Sequence, residues 1–124
     1  MTSEETKPVP EAAGMAIYEE IVDNADNGTL QMGDVIMRLK EVDTTGQFLA
    51  STARYLAALD RERFEQWLAP LVEGAIEKDR DRRYIGSLLE ALWGADYAEH
   101  AEELKLSDDN FRRIYKRLYE NPAM

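Results

Sequence analysis

The chain has 124 residues, and its 25 acids against 15 lysines and arginines give a net charge of −10. That length fits one domain with a buried core, and the acidic balance repels nucleic-acid phosphate and anionic membranes while favouring basic partners. With no cysteine, disulfides, thiolate zinc sites and cysteine catalysis are excluded, and no apolar run approaches the roughly 20 residues needed to cross a bilayer.

Residues 1–10, MTSEETKPVP, hold two acids and two prolines and no apolar core, so they read as a disordered tail and not as a secretory leader. A soluble, cytoplasmic protein is expected, with one helical domain over 11–121. Helical signals begin at Glu11, with Pro10 suited to a first helical turn, and Met15, Ile17, Tyr18, Ile21 and Val22 recur at helical spacing. The run Asp23 to Gly28, DNADNG, is dense in turn residues and ends that helix. A second helix is expected from Met32 to Val42, burying Met32, Val35, Ile36, Leu39 and Val42.

Asp43, Thr44 and Thr45 are candidate caps for a third helix, Thr44 and Gln47 standing at capping-box spacing. Its stripe is Phe48, Leu49, Thr52, Tyr55, Leu56 and Leu59, and Asp60 can cap the next start. Phe64, Trp67, Leu68, Leu71, Val72, Ala75 and Ile76 then form one stripe that runs through Pro70. Proline removes a helical hydrogen bond, so a kink at Pro70 is expected in preference to a break. A fifth helix is read from Arg82 to Trp93 with Gly94 as its stop. Asp96 and Glu99 are placed to open a short helix with Tyr97, Ala101 and Leu104. Ser107 is the expected cap of a last helix burying Phe111, Ile114, Tyr115 and Leu118, which Asn121 and Pro122 end. No stretch alternates like a strand. The fold class is all-α, six to seven helices packed as antiparallel hairpins.

A shift of 36 residues superposes part of the chain on itself. Asp43, Ser51, Leu56, Asp60 and Leu68 fall on Asp79, Ser87, Leu92, Asp96 and Leu104, while Phe48 and Leu49 fall on Tyr84 and Ile85. An acidic turn residue thus precedes an aromatic-aliphatic pair twice. A helical hairpin of this kind cannot bury its face alone and stacks on a neighbour. The segment LAPLVEGAIEKDRDRRYIGSLLEAL, with Pro70 in a first helix, Asp79 and Asp81 in a turn, and Tyr84, Ser87, Leu88, Ala91 and Leu92 on a second helix, resembles a HEAT-type helical repeat. Ile85 stands where that family usually has its turn arginine. The resemblance covers about half the chain and implies a binding scaffold, as a HEAT-like stack or an irregular helical bundle.

Few residues arrange themselves for chemistry. Asp23 to Asp34, DNADNGTLQMGD, resembles an EF-hand or dockerin calcium loop, with Asp23 first, Asn27 fifth, Gly28 sixth and Asp34 twelfth. Calcium takes six to eight oxygens, and Ala25 supplies none at the third position. The bland alternative is a helix-ending turn followed by a helix start. His100, with Glu99 and Glu103 nearby, offers two metal ligands at most. No nucleophile elbow, Walker loop or dinucleotide glycine pattern occurs, so no catalytic residue and no cofactor is expected.

Arginines collect in two places: Arg80, Arg82 and Arg83 in a turn, and Arg112, Arg113, Lys116 and Arg117 on the last helix. Trp67, Trp93, Tyr97 and Tyr119 are the aromatic candidates for contacts. The expected function is non-catalytic: a small acidic interaction module, acting as adaptor, regulator or inhibitor of a larger protein, with a basic partner the best match to its charge. A narrower alternative is an immunity-type inhibitor that mimics nucleic-acid charge. A calcium-binding module is the third.

Overall fold

A computed structural model describes residues 10–28 and 30–120. Among these there are six α-helices and no strand: α1 (Pro10–Asn24), α2 (Met32–Val42), α3 (Gln47–Lys78), α4 (Gly86–Trp93), α5 (Ala101–Ser107) and α6 (Asp109–Tyr115). A short 3-10 helix, Tyr97–His100, leads into α5, and a π-helical turn, Lys116–Glu120, continues α6. The all-α expectation holds. The expected tail lies outside the described residues except for Pro10, which opens α1, and so do Asn121 and Pro122, read as the stop of the last helix.

The third and fourth expected helices are the two arms of α3, divided at Asp60. That residue is the only non-helical one in α3 (φ −167°, ψ 91°), so the helix breaks there and runs unbroken through Pro70. Asp60 restarts the helix as the sequence suggested, its Oδ1 accepting the Arg63 amide at 3.2 Å. Pro70 lies inside the second arm with helical dihedrals on both sides. The amide it lacks would have paired with the carbonyl of Gln66, an exposed residue that water can reach.

One apolar core runs through the domain. Ile21, Leu39, Leu49, Leu56, Leu71, Leu88 and Phe111 are all sealed from solvent, and burying side chains of this size stabilises a fold by about 1.5–3 kcal/mol each. α1 and α2 pack on each other and on α3, while α4 and α6 pack on α3 and on each other. Gly14 lets α1 approach closely: a Cβ there would come within 2.4 Å of the Phe48 ring. Two stripe residues are corrected. Met15 and Leu59 face outward, 43% and 37% exposed, because each sits at the rim of its helix's apolar stripe.

The two turns of the 36-residue repeat carry the same hydrogen-bond network. Asp43, 2% exposed, ends α2, its amide donating to the Leu39 carbonyl. Its carboxylate accepts from Gly46 at 3.0 Å, Phe48 at 2.9 Å and Leu49 at 2.8 Å. Asp79, also 2% exposed, ends α3, its amide donating to Ala75. Its carboxylate accepts from Arg83 at 2.9 Å, Tyr84 at 2.7 Å and Ile85 at 2.8 Å. Each aspartate therefore closes one helix and satisfies the orphan amides that open the next, five and six residues on. The hairpins α2 with the first arm of α3, and the second arm with α4, are built on one plan.

Several expected helix starts are corrected. Thr44 and Gln47 form no capping box; Gly46 is the residue before α3, and Asp43 reaches over it. The expected helix from Arg82 begins at Gly86, because residues 82–85 are held in the turn by Asp79. Ser107 is the last residue of α5, its hydroxyl donating to Glu103, and Asp108 caps α6 through the Asn110 and Phe111 amides at 3.0 and 3.2 Å. Asp96 precedes the 3-10 helix without a side-chain cap and meets His100 instead. Gly94 stops α4 as expected, at φ 99°.

Candidate functional site

Four of the chain's 15 lysines and arginines take places that the linear sequence does not display. The final carbonyls of a helix lack intrahelical partners and carry the negative end of its dipole. At four successive helix ends a cation from a distant segment fills that place. Arg63 Nη2 donates to the Ala25 carbonyl, just past α1, at 3.2 Å. Lys78 Nζ donates to Lys40 at the end of α2. Arg117 Nη1 donates to Ile76, in the last turn of α3, at 2.6 Å. Arg61 Nη1 donates to Leu92 at the end of α4. Lys40 and Ile76 are again related by the 36-residue shift. The acids face the other way. Asp43 and Asp79 are the only acids buried among the described residues, while Glu19, Glu62, Glu65, Glu73, Glu90, Glu99, Glu102 and Glu103 are exposed.

The two arginine clusters meet in space. Arg117, on the π turn after α6, reaches both Ile76 and, at 3.5 Å, the Asp79 carbonyl. This lays the end of α6 against the second turn. Two surface depressions result, one of about 500 Å³ between the turns and one of about 310 Å³ against α6, and Glu77 lines both. Arg80 and Arg83 border the first, Arg112, Arg113, Lys116 and Arg117 the second. Arg112 is engaged by Asp109, one turn back.

The aromatic candidates differ in burial. Trp67 is half-buried on the core and lies beside Gly33. Trp93 is also half-buried: its indole N–H donates to Asp108 Oδ2 at 3.0 Å, and its ring meets Phe111 edge-on at 5.3 Å. Because Asp108 also caps α6, this one carboxylate ties α4 to the start of α6. Tyr97, half-buried beside Phe111, meets the exposed Tyr119, their hydroxyls 3.2 Å apart. That hydrogen bond, and then burial, pushes the Tyr97 phenol up to about 12. Next to them Lys105 lies 5.2 Å from the Tyr115 ring centre and bonds Glu120 at 2.7 Å and Glu102 at 3.2 Å. These carboxylates hold the Lys105 ammonium above its ordinary range, and Lys105 holds Glu120 below the usual carboxylate range.

The calcium-loop residues fall on three different elements. Asp23 is in the last turn of α1, Asn27 in the turn that follows, and Asp34 in the first turn of α2, 3.9 Å from Arg38. Thr29, inside the loop, lies outside the described residues. His100 faces Asp96 at 3.3 Å and Glu103 at 4.0 Å. No group of three or more His, Cys, Asp or Glu side chains among the described residues could hold a metal ion. No helix there is long and apolar enough to cross a membrane.

Sequence reasoning missed Asp108 as a cap and the four cations on helix ends. Only the 36-residue shift gave a signal, and it located the turns and not their partners. Compared with known proteins, the chain matches no described family, no curated relative and no solved structure.

Proposed function

We propose that this protein is a non-catalytic interaction module of the cytoplasm, an adaptor, regulator or inhibitor that binds a larger, basic protein through its acidic exterior. The observation that carries this reading is the opposed orientation of the charges. Four cations turn their donors inward onto helix-end carbonyls, and the carboxylates of α1, α3 and α5 face solvent. An outward acidic field on a scaffold held by buried aspartates steers a basic protein and presents a surface that needs little reordering on binding. HEAT-like stacking belongs to this proposal and is supported by the shared plan of the two hairpins.

The test is affinity capture with the full chain as bait at low and high salt, identifying what is retained. The reading expects a basic protein, held at low salt and released at high salt. Retention that ignores salt, or efficient turnover of compounds by the purified protein alone in a metabolite panel, counts against it. If the captured partner is a nuclease or another nucleic-acid enzyme, and nucleic acid displaces the module from it, the narrower reading as a charge-mimicking inhibitor follows.

A further inference from the structure

The basic edge formed by the second turn and α6 does not belong to the acidic exterior. Residues 77–83 and 109–117 together hold eight cations against four acids, a local charge of +4 that leaves −14 on the rest of a chain totalling −10. The fold makes one edge of the two segments through the Arg117 contacts with Ile76 and Asp79. Of its acids, Asp79 is buried in the turn and Asp109 is engaged by Arg112, so Glu77 and Asp81 are the ones left facing out. Arg80, Arg83 and Lys116 are exposed and Arg113 half-buried, and none of the four enters an ion pair among the described residues.

We infer that this edge is a second docking surface, whose occupant is a short acidic segment of a protein partner. Charge complementarity sets the sign of the occupant. Three of these four cations are arginines, whose planar fork matches a carboxylate with two hydrogen bonds. Two depressions flanking Glu77 suit a linear segment that places acidic side chains on either side of it. The extent of the edge sets the occupant's length. A nucleic-acid duplex carries a charge about every 1.7 Å and would run off the edge onto the acidic exterior. A second copy of this chain would bring its own acidic exterior with it. A short segment meets the edge alone. The molecule is then two-faced, and this inference stands apart from the basic partner proposed for the acidic exterior.

The experiment titrates the full chain with a dodecapeptide of alternating glutamate and alanine, followed by amide NMR at low salt. In parallel, a single-stranded oligonucleotide of equal charge is titrated and the protein's own mass in solution is measured. The inference expects saturable shifts centred on residues 79–83 and 112–117. Lys116→Glu weakens binding about tenfold, and Arg80→Glu does the same through the other depression. The double variant A58E/A91E makes the same change in net charge as either reversal. Both alanines are exposed and lie outside the two segments that form the edge, so it should weaken binding less than about threefold. The inference is overturned if no shifts localise to the edge, or if A58E/A91E weakens binding as much as Lys116→Glu. It is equally overturned if the oligonucleotide binds there as tightly as the peptide, or if the edge is already occupied by a second copy.

Discussion

Gly46 and Arg82 stand at the same place in the two turns, three residues after the buried aspartate, and both have left-handed backbone, φ 84° and 59°. Glycine adopts this region freely, while for other L-residues it costs about 1–2 kcal/mol. The sequence difference has a packing cause. A Cβ on Gly46 would lie 2.9 Å from the Ala75 carbonyl oxygen and 3.2 Å from Asp79 Cβ, because the first turn rests against the second. Gly46→Ala should therefore lower stability by more than about 2 kcal/mol, strain and clash together. Arg82→Gly should change stability by less than about 1 kcal/mol in either direction, since relief of strain is offset by a freer unfolded chain and the loss of the arginine's contacts. Urea midpoints of the two variants decide the matter, and equal losses would contradict the packing argument.

The turn aspartates should be the most sensitive polar positions in the domain. Removing either carboxylate leaves three or more amides without an acceptor, and each orphaned buried donor costs about 1–3 kcal/mol. Asp43→Ala and Asp79→Ala should each cost about 3 kcal/mol or more. The asparagine variants, which keep one acceptor oxygen, should lose less. Thermal or urea unfolding measures this. A change smaller than that of an ordinary exposed acid such as Glu73 would remove the shared-turn account.

Cations on helix ends should contribute by position and not by charge. Arg117→Ala should cost about 1–2 kcal/mol, and Arg117→Lys should recover part of it. Lys116→Ala, one residue earlier and exposed, should be within about 0.5 kcal/mol of the parent chain. Similar losses at both positions would mean that the Arg117 contacts with Ile76 and Asp79 contribute little.

How far this was legible in the sequence differs from element to element. α2 begins at Met32 and ends at Val42 where its apolar spacing placed it, and Gly94 stopped α4, because these depend on neighbours within a turn or two. The repeat was visible because both turns conserve an aspartate five and six residues before an apolar pair. The cap was misassigned to Thr44 because a buried carboxylate reaches farther than the usual two or three residues, and to Ser107 because the neighbouring Asp108 caps at the ordinary spacing instead. The arginine clusters looked like separate solvated stretches, since their meeting depends on contacts about forty residues apart that no local pattern records. Pro70 left the helix unbroken, as the continuous stripe through it implied, and the break is at Asp60, where extended backbone and a side-chain cap coincide.

The Tyr97 phenol gives a pH prediction of definite sign. Its folded value of about 12 lies above the ordinary 10.0, so folding favours the neutral phenol. The corresponding stability is fully present below pH 10.0 and fades as the pH rises through about 12. At the other end of the scale Glu120, lowered by Lys105, contributes above 4.5 and ceases to as the pH falls below that value. Phenolate absorbance titration should find one tyrosine ionising late, and Tyr119→Phe should bring it back toward 10.0. An unchanged titration in that variant would show that the hydroxyl pair does not control Tyr97.

An outward acidic field on a stiff helical scaffold should steer a basic protein to this one, and that steering is open to measurement. It is tested most directly by the association rate of the captured partner measured against ionic strength. A steered encounter should slow about tenfold or more between dilute buffer and roughly half-molar salt, while the dissociation rate changes far less. An association rate that is flat across that range would contradict the account, whatever the affinity.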